Sequence, residues 1–170
     1  YLDLYVSNLG EPNQLFHNNG DGTFTDVAPE LGVTEPTDSF PGWFWDFNND
    51  GALDIYVAQY SFDSVPIFKS YMGQPYTPVS DRLYRGDGQG GFKDVTIEQR
   101  LNIPTMPMGS NFGDLDNDGY PDFYLGTGNT NFDALMPNLM FLNQGGTGFS
   151  NVTTAGGFGH LQKGHGVAFA

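Results

Sequence analysis

A chain of 170 residues with 38% hydrophobic and 15% aromatic content can bury the core of one ordinary domain, and its 24 Gly and 11 Pro stay below the level of low-complexity disorder. Six Lys+Arg against twenty Asp+Glu leave a formal charge of −14, which repels a phosphate backbone and excludes a nucleic-acid partner. No apolar run approaches the roughly 20 residues of a membrane helix, and the lack of cysteine leaves any metal to oxygen or imidazole ligands.

The chain opens at Tyr1 without Met and runs at once into Asp3-Leu4-Tyr5-Val6-Ser7, an acidic residue followed by a short β-prone stretch. That entry reads as a mature or excised piece beginning inside a loop. Next comes a hairpin pattern, Asn13-Gln14-Leu15-Phe16 through Gly20, Gly22, Phe24 and Val27, whose Asn18–Gly22 cluster supplies the positive-φ residues a tight turn needs. Phe44 then precedes Asp46-Phe47-Asn48-Asn49-Asp50-Gly51-Ala52-Leu53-Asp54, a D-x-[DN]-x-D-G-x-x-D loop that exits into Ile55-Tyr56-Val57-Ala58. A spacer carrying Tyr60, Phe62, Phe68, Tyr71 and Tyr76, interleaved with Pro66, Pro75 and Pro78, leads to a second hairpin from Asp81-Arg82-Leu83-Tyr84 through Gly88, Gly90, Phe92 and Val95. Those rings suit either a sugar- or protein-binding face or a small satellite core.

The same order then repeats. Phe112 precedes Asp114-Leu115-Asp116-Asn117-Asp118-Gly119-Tyr120-Pro121-Asp122, the exit run is Phe123-Tyr124-Leu125-Gly126, and a third hairpin runs from Asn138-Leu139-Met140-Phe141 through Gly145, Phe149 and Val152. From Asn13 to Asp46 is 33 positions, and from Asp81 to Asp114 is again 33; the same step from Asn138 falls just past Ala170, with Phe169 two places before it. A fourth loop is therefore expected directly after residue 170. Constant spacing marks scaffold, and the variable stretch between loop and hairpin marks surface insertions.

With no long 3.6-period stretch, the chain is predicted to be all-β, each repeat giving four antiparallel strands: one before the Asp loop, one after it and two around the Gly-rich turn. A four-stranded unit of roughly 60 residues, repeated, is the pattern of a β-propeller blade. The expected division is a partial blade over 1–35, blades over 40–103 and 107–155, and the first strand of another over 163–170. Propellers close with about four to eight blades. About three blades' worth of chain points either to a segment of a longer protein or to several chains completing a ring or fibre through their terminal strands.

The chemistry lies in the Asp loops. Side chains at positions 1, 3 and 5 of a tight loop converge, Gly at position 6 lets the chain reverse, position 7 offers a carbonyl and the Asp at position 9 closes an oxygen shell. Calcium suits such a shell better than magnesium, and zinc is disfavoured without His or Cys in either loop. An EF-hand would place Glu at position 12, where this chain has Val57 and Leu125. The two loops hold seven of the twenty acidic residues, so two bound calcium ions would bring the formal charge from −14 to −10. Trp43 and Trp45 beside the first loop read as packing between sheets, and Asn151-Val152-Thr153 matches a glycosylation sequon that arises often by chance. His17, His160 and His165 lie in no nucleophile or metal motif, and no G-x-S-x-G, P-loop or H-E-x-x-H pattern is present.

The run from Asn111 to Gly126 resembles the FG-GAP repeat of integrin-α-type β-propellers, and the whole chain resembles the VCBS/FG-GAP repeats of secreted bacterial proteins, including the ASPIC/UnbV-associated kind. The Gly-Ala-Pro of the integrin repeat is replaced by Val57-Ala58-Gln59 and Gly126-Thr127-Gly128, which favours the bacterial branch. The resemblance implies calcium held by Asp46, Asn48, Asp50, the Ala52 carbonyl and Asp54, and by Asp114, Asp116, Asp118, the Tyr120 carbonyl and Asp122, with Asp3 in a loop whose earlier ligands are missing. It implies a secreted or cell-surface protein acting in adhesion, recognition or assembly on a protein or carbohydrate ligand, with no catalytic residues. The alternative is the propeller portion of a secreted polysaccharide lyase or hydrolase, or a lectin.

Overall fold

A computed structural model of the chain describes residues 1–61, 63–77, 80–128 and 136–169. Eleven strands lie among them: β1 (Leu4–Val6), β2 (Gln14–Asn18), β3 (Phe24–Asp26), β4 (Ser39–Trp45), β5 (Asp54–Gln59), β6 (Arg82–Gly86), β7 (Phe92–Asp94), β8 (Pro107–Gly113), β9 (Asp122–Thr127), β10 (Leu139–Asn143) and β11 (Phe149–Asn151). They form three antiparallel sheets, β1-β2-β3, β4-β5-β6-β7 and β8-β9-β10-β11, each following chain order. The two four-stranded sheets are copies down to their irregularities, because the register slips between Ser39 and Gly42 in β4 and between Pro107 and Gly109 in β8. The fold is thus all-β, a partial β-propeller of antiparallel blades, as the repeat pattern predicts.

Period-2 alternation decides how the sheets stack. Along β5 every residue is buried, and its two faces belong to different cores: Ile55 and Val57 join Leu15, Ala28, Val33 and Tyr84 on the side of the first sheet, whereas Tyr56 and Ala58 join Phe123, Leu125 and Phe141 on the side of the third. A strand apolar on both faces is what a middle layer demands. The larger core is aromatic. Trp43 stacks on Tyr56 and Phe112 (centroids 4.4 and 5.7 Å), Trp45 on Phe149 (5.8 Å), and Phe123 on Phe141 (4.6 Å). The two tryptophans are therefore packing between sheets, as expected from their positions.

A second recurring device fastens the end of each exit strand. The side-chain Oδ1 of Asn13, Asp81 and Asn138 accepts the backbone N–H of Asn8, Gln59 and Thr127 at 2.8, 2.8 and 3.0 Å, and all three latch residues are buried. In the middle sheet the latch is a carboxylate, which also accepts from the hydroxyls of Thr105 (2.7 Å) and Tyr56 (2.5 Å). The sequon has a structural part of the same kind. Thr153 Oγ1 accepts the Met140 N–H and Asn151 Oδ1 the Thr153 N–H, at 2.9 and 3.1 Å, matching Thr96 with Leu83 and Asp94 with Thr96 at 3.0 and 2.9 Å.

Among the described residues two helices depart from the purely β expectation: α1 (Ala28–Leu31) and α2 (Val65–Tyr71). Each carries Pro in its first turn, where the missing N–H is harmless, and α1 is closed by Gly32 at φ 69°. Both are too short to register as a 3.6-residue period. In the spacer that holds α2, Tyr60 is buried against Phe40 (5.6 Å), and Ile67 is buried, while Phe68 and Tyr71 are exposed. Part of that segment thus packs back onto the sheets; its Phe62 and Pro78 lie outside the described residues.

Residues 163–169, expected to be a first strand, show no ladder pairing among the described residues, yet they follow β8 closely. Asn111 Nδ2 donates to the Val167 carbonyl (3.1 Å), Gly126 faces Gly164 so closely that a Cβ on Gly126 would sit 2.6 Å from its oxygen, and Phe169 lies over Gly113. Phe112, one repeat earlier, lies over Trp45 (5.5 Å).

Candidate metal centre

The loops joining β4 to β5 and β8 to β9 adopt one conformation. Asn49 and Gly51 have φ of 57° and 86°, and Asn117 and Gly119 have 60° and 91°. Glycine at position 6 was legible as a turn residue. Asn at position 4 lies outside the D-x-[DN]-x-D-G-x-x-D pattern, yet both copies carry it, and Asn is among the few side chains that tolerate the left-handed region. The carboxylate of position 1 folds inward over the turn: Asp46 accepts from the N–H groups of Asp50 (3.1 Å) and Gly51 (2.9 Å), and Asp114 from those of Asp118 (3.1 Å) and Gly119 (2.9 Å). Position 3 repeats as well, with Asn48 and Asp116 each accepting at 3.3 Å from the N–H of position 5.

Position 9 opens the exit strand and is buried. Asp54 accepts from Phe47 N–H (3.0 Å) and Gly86 N–H (2.9 Å), and Asp122 from Leu115 N–H (2.7 Å) and Asn143 N–H (2.8 Å), so each carboxylate ties its loop to the neighbouring strand. Burial pushes the Asp54 carboxyl up to about 6; the two amides oppose that shift, and the charges of Asp50 and Asp46 add to it. Asp122 is raised for the same reasons, first by burial and then by Asp116 and Asp118, against the amides of Asn143 and Leu115. Both groups sit where a positive charge would relieve them.

In the second loop, one oxygen each from Asp114, Asp116 and Asp122 fall within 4.8 Å of one another, the one such carboxylate group among the described residues. Asp118 is not part of it, its Oδ1 being held by Tyr120 N–H (2.8 Å). In the first loop Asn48 stands in place of Asp116, and its Nδ2 donates to Asp50 (2.8 Å), whose other oxygen takes the Ala52 N–H (2.9 Å). Oxygen donors alone, three of them converging and one buried at the base, fit a hard divalent cation and no soft one. Asp3 matches position 9 at the front of the chain: it accepts Asn18 N–H (2.8 Å) and pairs with His17 Nδ1 (3.2 Å), both side chains being exposed.

Among known protein families, the FG-GAP-like repeat matches residues 1–57 and 46–125 of this chain. Relatives include cartilage acidic protein 1 of Xenopus tropicalis, 40% identical over 120 residues, or 68% of this chain and 16% of that protein. The proteins of the same name from Homo sapiens and Mus musculus are 43% and 42% identical over 60 residues, 35% of this chain and 9% of each. The chain thus spans between about a tenth and a sixth of the length of the relatives it matches.

Proposed function

The chain belongs to the FG-GAP-like repeat family, and from that premise we propose that it is a calcium-binding, non-catalytic propeller segment working outside the cell in adhesion, recognition or assembly. The observation that carries the reading is the convergence of Asp114, Asp116 and Asp122 with a buried, charge-stressed carboxylate at the base, in a loop whose backbone is duplicated at Asp46–Asp54. The residues assigned to calcium are Asp114, Asp116, Asp118, the Tyr120 carbonyl and Asp122, and in the other loop Asp46, Asn48, Asp50, the Ala52 carbonyl and Asp54; Asp3 stands at the same closing position of the first repeat. The ion supplies charge compensation and cross-links loop to exit strand. It performs no step of a reaction.

An extracellular setting agrees with the weak affinity of such modules, about 10⁻⁴–10⁻³ M, which the cytosol would leave unfilled. It agrees also with relatives named for cartilage and for acidity, the latter a property this chain shares at −14. The partner is a protein or a carbohydrate.

The test is thermal melting in a chelator and in about 10 mM calcium. Binding to the native state alone at the affinities above contributes about 1.4–2.7 kcal/mol per loop. Two loops therefore raise Tm by roughly 6–20 °C for a chain of this size. Superimposable melts overturn the assignment.

A further inference from the structure

The two Asp loops touch, and one buried residue joins their closing carboxylates. Asn49 Nδ2, from position 4 of the first loop, donates to the carbonyl of Gly119 at position 6 of the second (2.9 Å). Asn143, at the end of β10, has its backbone N–H on Asp122 Oδ1 (2.8 Å), while its Nδ2 donates both to the Phe47 carbonyl (2.7 Å) and to the Pro121 carbonyl (3.1 Å). Its Oδ1 accepts Gly146 N–H (2.8 Å), so all its polar atoms are engaged. Phe47 in turn places its own N–H on Asp54 Oδ2 (3.0 Å). The chain Asp54, Phe47, Asn143, Asp122 thus runs from the base of one loop to the base of the other through two residues. The Gly-rich turn after β10 also rests on the first loop, where a Cβ on Gly146 would lie 2.9 Å from the Asn48 Cα.

The place held by Asn143 differs among the three sheets. Asn18 has it in the first sheet, with its N–H on Asp3 (2.8 Å) and its Nδ2 on Leu2 O (3.2 Å). In the middle sheet it is Gly86, whose N–H reaches Asp54 Oδ1 (2.9 Å) but which offers no amide side chain, and the Leu53 carbonyl occupies the space a Cβ would need. At this position a side-chain bridge therefore leads from the third sheet back to the loop of the middle one, whereas Gly86 can offer none; the middle sheet reaches the first elsewhere, through Ser39 on the Asn8 carbonyl (3.0 Å) and Tyr84 on the Glu35 carbonyl (2.7 Å).

Resting on the calcium reading above, we infer that Asn143 and Asn49 couple the two cation loops, so that an ion in one raises the affinity of the other. An ion fixes the Asp46–Asp54 backbone, which fixes the Phe47 carbonyl and the Asn49 amide; the second loop then has less ordering left to do when its own ion arrives. Like-charge repulsion between the ions works the other way. It does not abolish the effect, because the loops carry three and four carboxylates and each remains formally negative with an ion bound. Asn143 and Asn49 are positioning residues here, acting through the loop backbone.

The experiment is calcium titration by calorimetry on the 170-residue chain, combined with melting in a chelator. Asp46→Ala silences the first loop, and coupling predicts that the affinity of the second then falls about fivefold or more. In an Asn143→Ala background the same Asp46→Ala change leaves the second loop's affinity within about twofold. Asn49→Gly, at an exposed residue already in the glycine-tolerant region, is expected to shrink the coupling while leaving the chelated melt in place, which keeps the test intact should Asn143→Ala fail to fold. Two calcium ions binding with no effect of Asp46→Ala on the second loop, or an undiminished effect in Asn49→Gly, overturns the coupling and leaves the calcium reading standing. No heat and no stabilisation with calcium in the parent chain overturns both.

Discussion

Replacing Asp81 by Asn should stabilise this protein at neutral and alkaline pH, and by an amount that disappears in acid. The carboxylate lies in the middle of the stack, fully enclosed, and burial pushes it up to about 6 despite the hydrogen bonds it receives from Tyr56, Thr105 and the Gln59 amide. A rise of about two units is worth about 3 kcal/mol of penalty on the ionised form in the folded chain. Between about pH 4 and 6 the folded protein binds more protons at this group than the unfolded chain does, so the group's contribution to stability is present in acid and is lost as pH rises through about 6. An amide in the same place keeps an oxygen for the Gln59 N–H and the Thr105 hydroxyl, just as Asn13 and Asn138 accept the equivalent N–H without a charge in the other two sheets, while the Tyr56 hydroxyl loses its carboxylate acceptor, which offsets part of the gain. The expected difference is therefore up to about 3 kcal/mol, or a Tm higher by roughly 6–12 °C at pH 8. It should narrow steadily below pH 6 and vanish near pH 4. Differential scanning calorimetry of both proteins from pH 4 to 8 in a chelator isolates this residue, since other groups cancel in the difference. A lower Tm for Asp81→Asn at pH 8, or a gap that stays constant with pH, would refute the account.

Two further outcomes follow from the loops and the core. Asp116→Asn, at an exposed position, should leave the chelated melt almost unmoved and reduce the calcium-induced rise in Tm; Asp122→Ala, by leaving the buried Asn143 amide and the part-buried Leu115 amide without their acceptor, should cost about 2–4 kcal/mol in the chelated state as well, as read by urea denaturation. Trp45→Ala should cost about 3–5 kcal/mol by the same assay, whereas Trp45→Phe should cost far less, because the indole N–H of Trp45 has no hydrogen-bond partner among the described residues and only its ring contacts, stacked on Phe149 and edge-on to Phe123, are at stake.

The local parts of this fold are written openly in the chain. A glycine at position 6, acidic residues two apart and a β-prone exit are all contiguous signals, and the 33-position step places β4 and β8 before their loops. What depends on distant residues is not. Nothing around Asn143 in the sequence says that its amide lands on the carbonyl of Phe47, 96 positions away, and Asp81 reads like any other surface acid until Tyr56 and Thr105 close over it. Asn49 and Asn117 stand at a position the motif leaves free, and their recurrence in both copies is the one sequence signal of the shared left-handed Asn. The helices leave no mark in the sequence because four and seven residues are too few to show a 3.6-residue period.

The opposite rim of the stack obeys other rules. Seven residues separate β1 from β2, 22 separate β5 from β6, and 11 separate β9 from β10, yet the strands on either side keep the same register, whereas both acidic turns, between β4 and β5 and between β8 and β9, have eight. One edge of the molecule is interlocked and therefore frozen in length; the other is free to be spliced. Foreign peptides inserted between Tyr71 and Ser80 would be carried like cargo on a deck whose keel is fixed.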